Sequence, residues 1–455
     1  MLRQLACAAL LGTRDRAVLR ALRQLREAEH MSAQDLEAEQ RRRLAALVRH
    51  AYENVPYYRK ILKQAGVISG NGVDLSRWSE IPILTRQDLR ERYDDLKSRD
   101  LAQRAWYENA TGGSTGEPVR FVQDASYSAW MRAVKMLFDL WTGYKIGEPK
   151  VILWGSERDL SGGQGNFRML LGHWLRNERW LNARRLSDDS VREYVKVINR
   201  MRPVQILAYA TSLYELAQLI ERDGRDGLEV YAPRAIMTSA DTLYPHMREL
   251  IERVFRAPVF NRYGSREAGD IACQCEVHGA LHVSPLTHYV EIIRGDGSLA
   301  RDGEIGEVIV TPLANYAMPL IRYQIGDIAA WEKGGCSCGR KWPVLQTVYG
   351  RVRDSFHLRD GTIVRIPDSV LYFRDWICRF QFIQEDYDVV RLLVVPVVSP
   401  EEAKERVENE RAGIEEKLRS LMGIECCLQI ELVEEIPPTP SGKHRYVISK
   451  VPHDP

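Results

Sequence analysis

The sequence predicts an α/β protein with a large N-terminal domain and a small C-terminal α+β domain, and three features of the residue pattern support this prediction. Short apolar strands alternate with amphipathic helices between residues 120 and 255, which is typical of a largely parallel sheet. Strand patterns separated by Gly/Asp turns dominate residues 281–331 and indicate a β-rich subdomain. Beyond Gly350, a charged helix lies between two strands. We therefore expect domains at 1–350 and 351–455.

Composition limits the classes of function that the chain can have. With 455 residues and 45% hydrophobic content, it can bury more than one core. Its 64 basic and 62 acidic residues nearly cancel, so we expect no nucleic-acid partner. No window reaches the roughly 18 apolar residues of a membrane span, and the first apolar run is too short for a secretory signal. The eight cysteines suit a reducing compartment better than a disulfide framework, so we expect a cytoplasmic protein.

The predicted elements follow the chain in order. Leucine spacings of three and four predict helices over 15–66, within a helical N-terminal part that covers 1–100. Thr85 is expected to cap a short helix that begins near Arg86. Further helices are expected at 125–141, 212–222, 245–255 and 400–421. Strands are expected at 118–122, 151–155, 205–210, 235–239, 289–294, 306–311, 328–331, 389–397 and 427–432.

A glycine-rich segment gives the first functional signal. Six consecutive positions hold three glycines and three hydroxyl residues: Thr111, Gly112, Gly113, Ser114, Thr115 and Gly116. Such a loop can bring backbone N–H groups and hydroxyls to phosphate oxygens, so it indicates a nucleotide site, with a plain turn as the alternative. The segment also fits G-x-S-x-G, but a nucleophile elbow needs a helix after the serine, whereas a strand is predicted here. It does not match a Walker loop either.

Four further motifs follow this loop in chain order. They are R-Y-G-S-R-E at 262–267, R-Y-Q-I-G-D at 322–327, G-R-V-R-D at 350–354 and P-P-T-P-S-G-K at 437–443. Together with the loop, they resemble T-S-G-[ST]-T-G-K-P, Y-G-x-x-E, Y-R-T-G-D, G-R-x-[DK]-D and P-x-T-x-S-G-K of the adenylate-forming (acyl-CoA synthetase) superfamily. Within it, the sequence resembles the phenylacetate-CoA ligase-like branch, which includes capsule-associated relatives. The resemblance extends over most of the chain.

The resemblance implies a set of roles for these residues in the activation of a carboxylic acid by ATP. Lys443 would bridge the substrate carboxylate and the α-phosphate, and Glu267 would hold Mg²⁺. Thr111, Ser114, Thr115 and the amides of Gly112, Gly113 and Gly116 would hold the β- and γ-phosphates. Tyr263, followed by Gly264, would lie on the adenine. Asp327 would accept the ribose hydroxyls with Arg351 nearby, and Ser239 and Asp241 would border the adenine and acyl pockets.

The chain departs from the family patterns at several of these positions. Glu117 stands where the pattern often has Lys, so its side chain is expected to point away from the triphosphate. Arg353 replaces Asp or Lys at the hinge about which the small domain turns in the family. Ala240 and Asp241 replace the last two residues of an S-G-E segment. An Arg can serve at a hinge, but the resemblance supports the thioester-forming step less strongly than the adenylation step because of this substitution.

Two short cysteine clusters predict a metal site. They are C-x-C-x₂-H-G at 273–279 and C-x-C-G at 336–339, and each ends in a glycine that permits a tight turn. Their ligands suffice for tetrahedral Zn²⁺, and four protein ligands would make its role structural. The favoured set is Cys275, His278, Cys336 and Cys338, with His282 or Cys273 as substitutes. The resemblance points the same way, and a set of buried free thiols is the alternative.

These inferences predict an AMP-forming acid ligase that uses ATP and Mg²⁺, with CoA as the acceptor that the resemblance implies. An amine or hydroxyl acceptor, in a biosynthetic or polysaccharide pathway, stays open. A binding protein without catalysis is disfavoured because Glu267 and Lys443 are both present. The acyl pocket, suited to an aromatic or flat acid, is expected near Trp154, Tyr209, Ala235 and Ile236, although these residues fit a sheet core equally. The resemblance also implies a homodimer.

Overall fold

The structure is a computed structural model of the chain. The described residues are 15–70, 72–111, 119–154, 167–183, 188–224, 228–351, 356–359, 363–364, 376–423, 425–437 and 445–451. Several residues singled out above lie outside them: Gly112, Gly113, Ser114, Thr115, Gly116, Glu117, Arg353 and Lys443.

Helices dominate the described N-terminal part, as predicted. They are α1 (Arg16–Ala28), α2 (Ala33–Asn54), α3 (Pro56–Gln64) and α4 (Arg86–Glu91). Thr85 caps α4 in a capping box with Asp88, because each side chain accepts the other residue's backbone N–H. A short strand pair, β1 (Ile68–Ser69) and β2 (Gly72–Val73), and 3₁₀ turns at Leu75–Glu80 and Leu101–Gln103 complete this part.

An antiparallel hairpin carries the glycine loop. Its strands are β3 (Trp106–Ala110) and β4 (Arg120–Asp124), and only the second of them was predicted. Asp124 then caps α5 (Ala125–Trp141) by accepting the backbone N–H of Tyr127 at 2.8 Å. The bounds of α5 agree with the helix expected at 125–141.

The alternating segment forms a parallel sheet, as predicted. Its strands are β5 (Lys150–Trp154), β6 (Glu178–Asn182), β7 (Gln205–Tyr209), β8 (Ala235–Ser239) and β9 (Val259–Ser265), in the spatial order β6-β5-β7-β8-β9. The helices are α6 (Phe167–Arg176), α7 (Asp188–Met201), α8 (Ala210–Gly224) and α9 (Pro245–Phe255). One face of the sheet packs on α7, α8 and α9, and the other packs on α5 and α1.

The β-rich region continues the same sheet. It adds β10 (Gly269–Gln274), β11 (Leu281–Val283), β12 (His288–Ile293), β13 (Ile305–Pro312), β14 (Tyr323–Trp331) and β15 (Val344–Arg351). All pairings from β9 onward are antiparallel, and the described residues give an 11-stranded sheet. The predicted subdomain therefore shares its sheet with the parallel part, because the turn at Glu267 returns the chain from β9 directly into β10.

The C-terminal segment has its own sheet and core. Four strands pair in the order β20-β19-β18-β21: β18 (Ile377–Asp386), β19 (Val389–Pro396), β20 (Cys427–Leu432) and β21 (Val447–Ser449). A small pair, β16 (Phe356–His357) and β17 (Ile363–Val364), precedes them. Ser399 caps α10 (Pro400–Met422), which packs on this sheet. The predicted α/β class is confirmed, and no helix among the described residues has the length and apolarity needed to cross a bilayer.

Candidate active site

The stem of the glycine loop is closed by two reciprocal hydrogen bonds. The backbone N–H of Thr111 donates to the carbonyl oxygen of Val119, and the backbone N–H of Val119 donates to Oγ1 of Thr111, both at 3.0 Å. These bonds extend the β3–β4 hairpin by one residue pair beyond Ala110 and Arg120. The hairpin therefore fixes both ends of the loop that was predicted to hold phosphates.

Glu267 lies in the turn between β9 and β10, and its carboxylate is buried. Its Oε1 accepts the hydroxyl of Tyr323 at 3.2 Å and Nη2 of Arg86 at 3.3 Å. Two predicted motifs thus meet, because Tyr323 begins β14 while Glu267 ends the Y-G-x-x-E motif. Since Oε1 holds both donors, Oε2 is the oxygen of this carboxylate that suits a hard cation.

The backbone around Glu267 is held by three side chains from other elements. Nε2 of Gln123, on β4, donates to the carbonyl oxygen of Arg266 at 3.0 Å, which ties the loop hairpin to this turn. Nε2 of His288 donates to the carbonyl oxygen of Ala268 at 2.7 Å. Burial lowers the pKa of His288 to about 4, so its ring is neutral and donates from Nε2. Tyr127 adds a longer contact to the Glu267 carbonyl, at 3.4 Å.

Arg86 is a candidate site residue that the sequence analysis did not identify. It is the first residue of α4, and its guanidinium reaches Glu267, while its buried Nε has no hydrogen-bond partner among the described residues. Burial opposes its charge, but the neighbouring Tyr323 and Glu267 raise the pKa of Arg86. A buried donor without a partner is costly, so this N–H is suited to a phosphate oxygen. No local signal marks Arg86, because its contact with Glu267 spans 181 positions.

The predicted nucleoside residues also come together. The hydroxyl of Tyr263 donates to Oδ2 of Asp327 at 2.9 Å, and Asp327 pairs in register with Arg351 across β14 and β15. Gly264 follows Tyr263 in a position that excludes any side chain. A Cβ there would lie 2.3 Å from the carbonyl oxygen of Gly269, so only glycine fits this crossing of β9 and β10.

The residues predicted for the acyl side divide into two groups. Trp154, Tyr209 and Ser239 end neighbouring parallel strands, with the Trp154 and Tyr209 rings 4.1 Å apart. Asp241 follows them and accepts the hydroxyl of Thr211 at 2.6 Å. Ala235 and Ile236 lie at the opposite, amino end of β8, and Ile236 packs in the core against α7 to α9. The structure therefore does not bring these two residues to the site, because Ala235 lies four positions before Ser239 along an extended strand.

The cysteine clusters converge on one point, but with a different histidine from the favoured one. Ligand atoms of Cys275, His282, Cys336 and Cys338 all lie within 4.8 Å of one another. His278 lies outside this cluster because it forms the turn before β11, with φ of 57°, and its ring packs on Phe260 at 4.3 Å. Burial raises the pKa of the remaining candidate, Cys273, well above its ordinary value, and this residue is part of the core under α5.

Strand geometry explains why His282 replaces His278. Cys273 and His282 are opposite each other across β10 and β11, so their side chains share one face of the sheet. Cys275 lies two residues beyond Cys273 and therefore projects to the same face. Cys336 and Cys338 lie in the connection between β14 and β15, which folds over this face.

The cluster fits a tetrahedral metal ion. Sγ of Cys275 and Sγ of Cys336 are 3.7 Å apart, and Sγ of Cys338 lies 3.5 Å from Nε2 of His282. Two thiolates on one zinc ion with bonds of about 2.3 Å are separated by about 3.8 Å, so the spacing already matches. Burial lowers the pKa of His282 to about 4, which keeps its ring in the neutral form that binds metals.

Arg340 ties this cluster to the N-terminal helix. Burial opposes ionisation of the Cys338 thiol, but the N–H groups of Arg340 donate to it and the pKa of Cys338 is lowered overall. The guanidinium also donates to Glu29 at 2.8 Å and to Glu276 at 2.9 Å, and lies 4.8 Å from the ring of Trp141. The cluster therefore lies where α1, α5 and the sheet meet.

Comparisons with known proteins agree with this arrangement. A family model described as the CapK C-terminal domain matches residues 359–450. Protein CapK of Staphylococcus aureus is 24% identical over 436 residues, which cover 92% of this chain and 90% of that protein. Phenylacetate-coenzyme A ligase of Escherichia coli (strain K12) is 25% identical over 425 residues, which cover 90% of this chain and 94% of that protein.

A solved structure shares the fold over nearly the whole chain. It is 2-hydroxyisobutyryl-CoA ligase in the postadenylation state, with a TM-score of 0.71 and 20% identity, covering 93% of this chain and 91% of that one. The fold, the converging motifs and these relatives agree on the class: the chain resembles the adenylate-forming superfamily and is an AMP-forming ligase. Within that superfamily it is similar to CapK and to the phenylacetate-CoA ligases.

Proposed function

We propose that the protein activates a carboxylic acid with ATP and then transfers the acyl group to CoA. In the first step, a carboxylate oxygen attacks the α-phosphorus, the bond to the β-phosphate bridging oxygen breaks, and pyrophosphate leaves. In the second step, the CoA sulfur attacks the acyl carbonyl carbon, and AMP leaves with the electron pair of the broken C–O bond. The phenylacetate-CoA ligases among the relatives support CoA as the acceptor.

One observation carries this proposal: Glu267 and Arg86 lie together beside the hairpin that holds the glycine loop. An anionic nucleophile must approach a polyanion, so the site has to offset negative charge at the phosphates. Arg86 contributes a cation whose Nε–H has no partner in the described part of the chain, and Thr111 anchors the loop at its stem. A Mg²⁺ ion held by Glu267 would supply further charge compensation.

The nucleoside half of ATP has its own residues in this proposal. Tyr263 packs beside the adenine, and its hydroxyl fixes Asp327 through the 2.9 Å hydrogen bond. Asp327 accepts the ribose hydroxyls, and Arg351 lies opposite on the next strand. Lys443 bridges the carboxylate and the α-phosphate, as the family motif implies. All these residues serve the adenylation step, so they do not distinguish CoA from other acyl acceptors. An acceptor with an amine or hydroxyl group is therefore the second candidate.

We also propose that Cys275, His282, Cys336 and Cys338 hold a structural Zn²⁺. The spacing of their ligand atoms supports this ion, and four protein ligands leave no position open for a substrate. The ion would join the β10–β11 hairpin to the connection between β14 and β15. It would thereby fix the orientation of these two strands, which carry the motifs of Asp327 and Arg351.

The proposed reaction is tested by pyrophosphate release with ATP and Mg²⁺ across a panel of aryl, short-chain and amino acids, each with and without CoA. We expect acid-dependent release without CoA and a thioester when CoA is added. Release that yields no thioester, followed by an amide or ester with amine or hydroxyl acceptors, would move the second step to the alternative acceptor. A panel that gives no release with any acid contradicts the proposal.

A further inference from the structure

Four side chains form one row across four adjacent parallel strands, at the carboxyl ends of β5, β7 and β8 and at the position of β9 where its pairing with β8 ends. Tyr209 pairs in register with Ser239, and Ser239 pairs in register with Arg262. Trp154 is the next residue after the pair formed by Leu153 and Ala208, which places it beside Tyr209. In-register residues of neighbouring strands project to the same face, so we call Trp154, Tyr209, Ser239 and Arg262 the acyl row.

The strand positions that lead into the acyl row pack under α5, whereas Tyr209 itself belongs to the core against α7 to α9 and Trp154 contacts both cores. Ile152, Leu207 and Met237 are two residues before Trp154, Tyr209 and Ser239 on their strands, and all three pack against α5. Side chains two residues apart on a strand share a face. The row therefore begins where the packed core under α5 ends, at the edge where parallel α/β sheets bind their ligands.

Arg262 is a buried cation with weak partners. Its side chain is only 7% exposed, yet Nη1 lies 3.4 Å from Oδ2 of Asp270 and Nε lies 3.4 Å from Oγ of Ser239. Charge-assisted hydrogen bonds normally measure about 2.7–2.9 Å. Among the described residues, no acidic group comes closer to this guanidinium. Within the described part of the chain, its charge is therefore poorly neutralised.

A second buried cation, Lys150, forms a fully paired ion pair and serves as a comparison for Arg262. Lys150, at the amino end of β5, lies 2.9 Å and 3.1 Å from the two carboxylate oxygens of Asp139. Asp139 is therefore committed to Lys150. Because an incompletely paired buried charge is costly, the position of Arg262 indicates a ligand that supplies the missing anion.

On the basis of the proposed function, we infer that the acyl row binds an acid with a second carboxylate. Arg262 and Ser239 receive this carboxylate, and the adjacent rings of Trp154 and Tyr209, whose planes are tilted by 40°, pack on a flat or extended carbon frame between the two acid groups. The reacting carboxylate is the other one, at the ATP site. The substrate class is therefore a dicarboxylic acid, and Arg262 is its specificity-determining residue.

Matched pairs of acids test this inference by ATP–pyrophosphate exchange. We use phenylacetic against 4-carboxyphenylacetic acid and hexanoic against adipic acid. We expect the diacid of a pair to have at least a 100-fold higher kcat/KM, because the monoacid leaves the buried Arg262 without its partner. Arg262→Leu should reverse the preference, and Arg262→Lys should retain part of it. Arg179→Leu, which removes an exposed arginine from β6, should leave the preference unchanged.

The outcomes separate this inference from the proposed function. Exchange with monoacids that equals or exceeds exchange with diacids overturns the inference and leaves acid activation intact. If no acid supports exchange, the inference is tested by binding alone. The same diacids are titrated into the protein, and tryptophan fluorescence measures their binding. Binding that Arg262→Leu abolishes supports the inference, and wild-type protein that binds no diacid overturns it. Arg262→Lys serves in both assays if the leucine variant does not fold.

Discussion

At the scale of single residues, Ala240 has a backbone conformation that disfavours its side chain. Its φ is 72°, in the left-handed region, at the position where the family segment S-G-E has glycine. A non-glycine residue in this conformation destabilises the folded state by about 1–2 kcal/mol. Glycine avoids this strain, but its greater freedom in the unfolded chain offsets part of the gain in stability. Ala240→Gly should therefore raise the free energy of unfolding by about 0.5–1 kcal/mol, measured by urea denaturation.

A second alanine-to-glycine change controls for the general effect of glycine. Ala412 is exposed in the interior of α10, where glycine costs about 1 kcal/mol relative to alanine. Ala412→Gly should therefore lower the free energy of unfolding. An Ala240→Gly protein that loses stability by as much as Ala412→Gly would show that φ at Ala240 carries no strain.

Local motifs predicted some site residues and could not predict others. Glu267, Tyr263 and Asp327 stood out because each belongs to a short pattern with a recognisable spacing, and they do lie near one another. Arg86 has no such pattern, since only the fold brings α4 to the turn after β9. The choice between His278 and His282 depended on strand register, which sequence spacing alone does not give.

At the scale of elements, the cysteine cluster joins the β10–β11 hairpin to the connection between β14 and β15. Purified protein should contain about one zinc ion per chain, by elemental analysis, as expected for a closed four-ligand site. His282→Asn should lose most of the metal and lower the melting temperature, because it removes a ligand. Chelation of the wild-type protein should give a similar destabilisation.

A matched variant makes this prediction specific. His278→Asn removes the other histidine of the same segment, which lies outside the cluster, and should retain the metal. Metal retention by His282→Asn together with metal loss by His278→Asn would refute the assignment. Zinc content well below one ion per chain in wild-type protein would refute the site itself.

Two central strands of the parallel sheet were predictable because they are fully buried. All five residues of β7 and of β8 are buried, and their continuous apolar runs predicted them correctly. The first three residues of β3 are exposed, and β6 lies at the sheet edge with mostly partial burial, so neither has a strand-like apolar pattern. The continuity of the sheet from β9 into β10 was missed because pairing partners are set by the fold.

At the scale of the whole molecule, the C-terminal sheet contacts the parallel part through an ion pair and an aromatic residue. Arg379, on β18, lies 2.8 Å from Glu215, on α8. Tyr446 contacts Phe380 at 5.1 Å and Tyr244 at 5.8 Å, so it packs between the two cores. Tyr446 is three residues after Lys443. These contacts are therefore expected to position the loop that carries the lysine.

Breaking the ion pair should slow the first half-reaction. Arg379→Glu places two acids together, and we expect about a tenfold lower rate of acid-dependent pyrophosphate release, since partly exposed pairs contribute about 1 kcal/mol or less and reversal adds repulsion. Combining it with Glu215→Arg should restore part of the rate.

The control for this prediction is an ion pair that lies wholly within the C-terminal unit. Arg391 lies 2.8 Å from Glu385, the same distance as in the Arg379–Glu215 pair. Arg391→Glu should leave pyrophosphate release unchanged. An equal effect of both reversals would indicate general destabilisation of the small unit and no role for its docking.

The domain boundary near residue 350 and the homodimer stay predictions.

The central claim is that this protein makes an acyl-adenylate, and the most direct measurement is to detect that intermediate. Protein incubated with ATP, Mg²⁺ and an accepted acid, without an acceptor, is analysed by mass spectrometry. We predict a bound species with the mass of the acid joined to AMP, absent in Lys443→Ala and present in Lys450→Ala, whose lysine instead pairs with Glu385 at 2.6 Å. Pyrophosphate release with no acyl-adenylate, or an undiminished adduct in Lys443→Ala, would contradict the account.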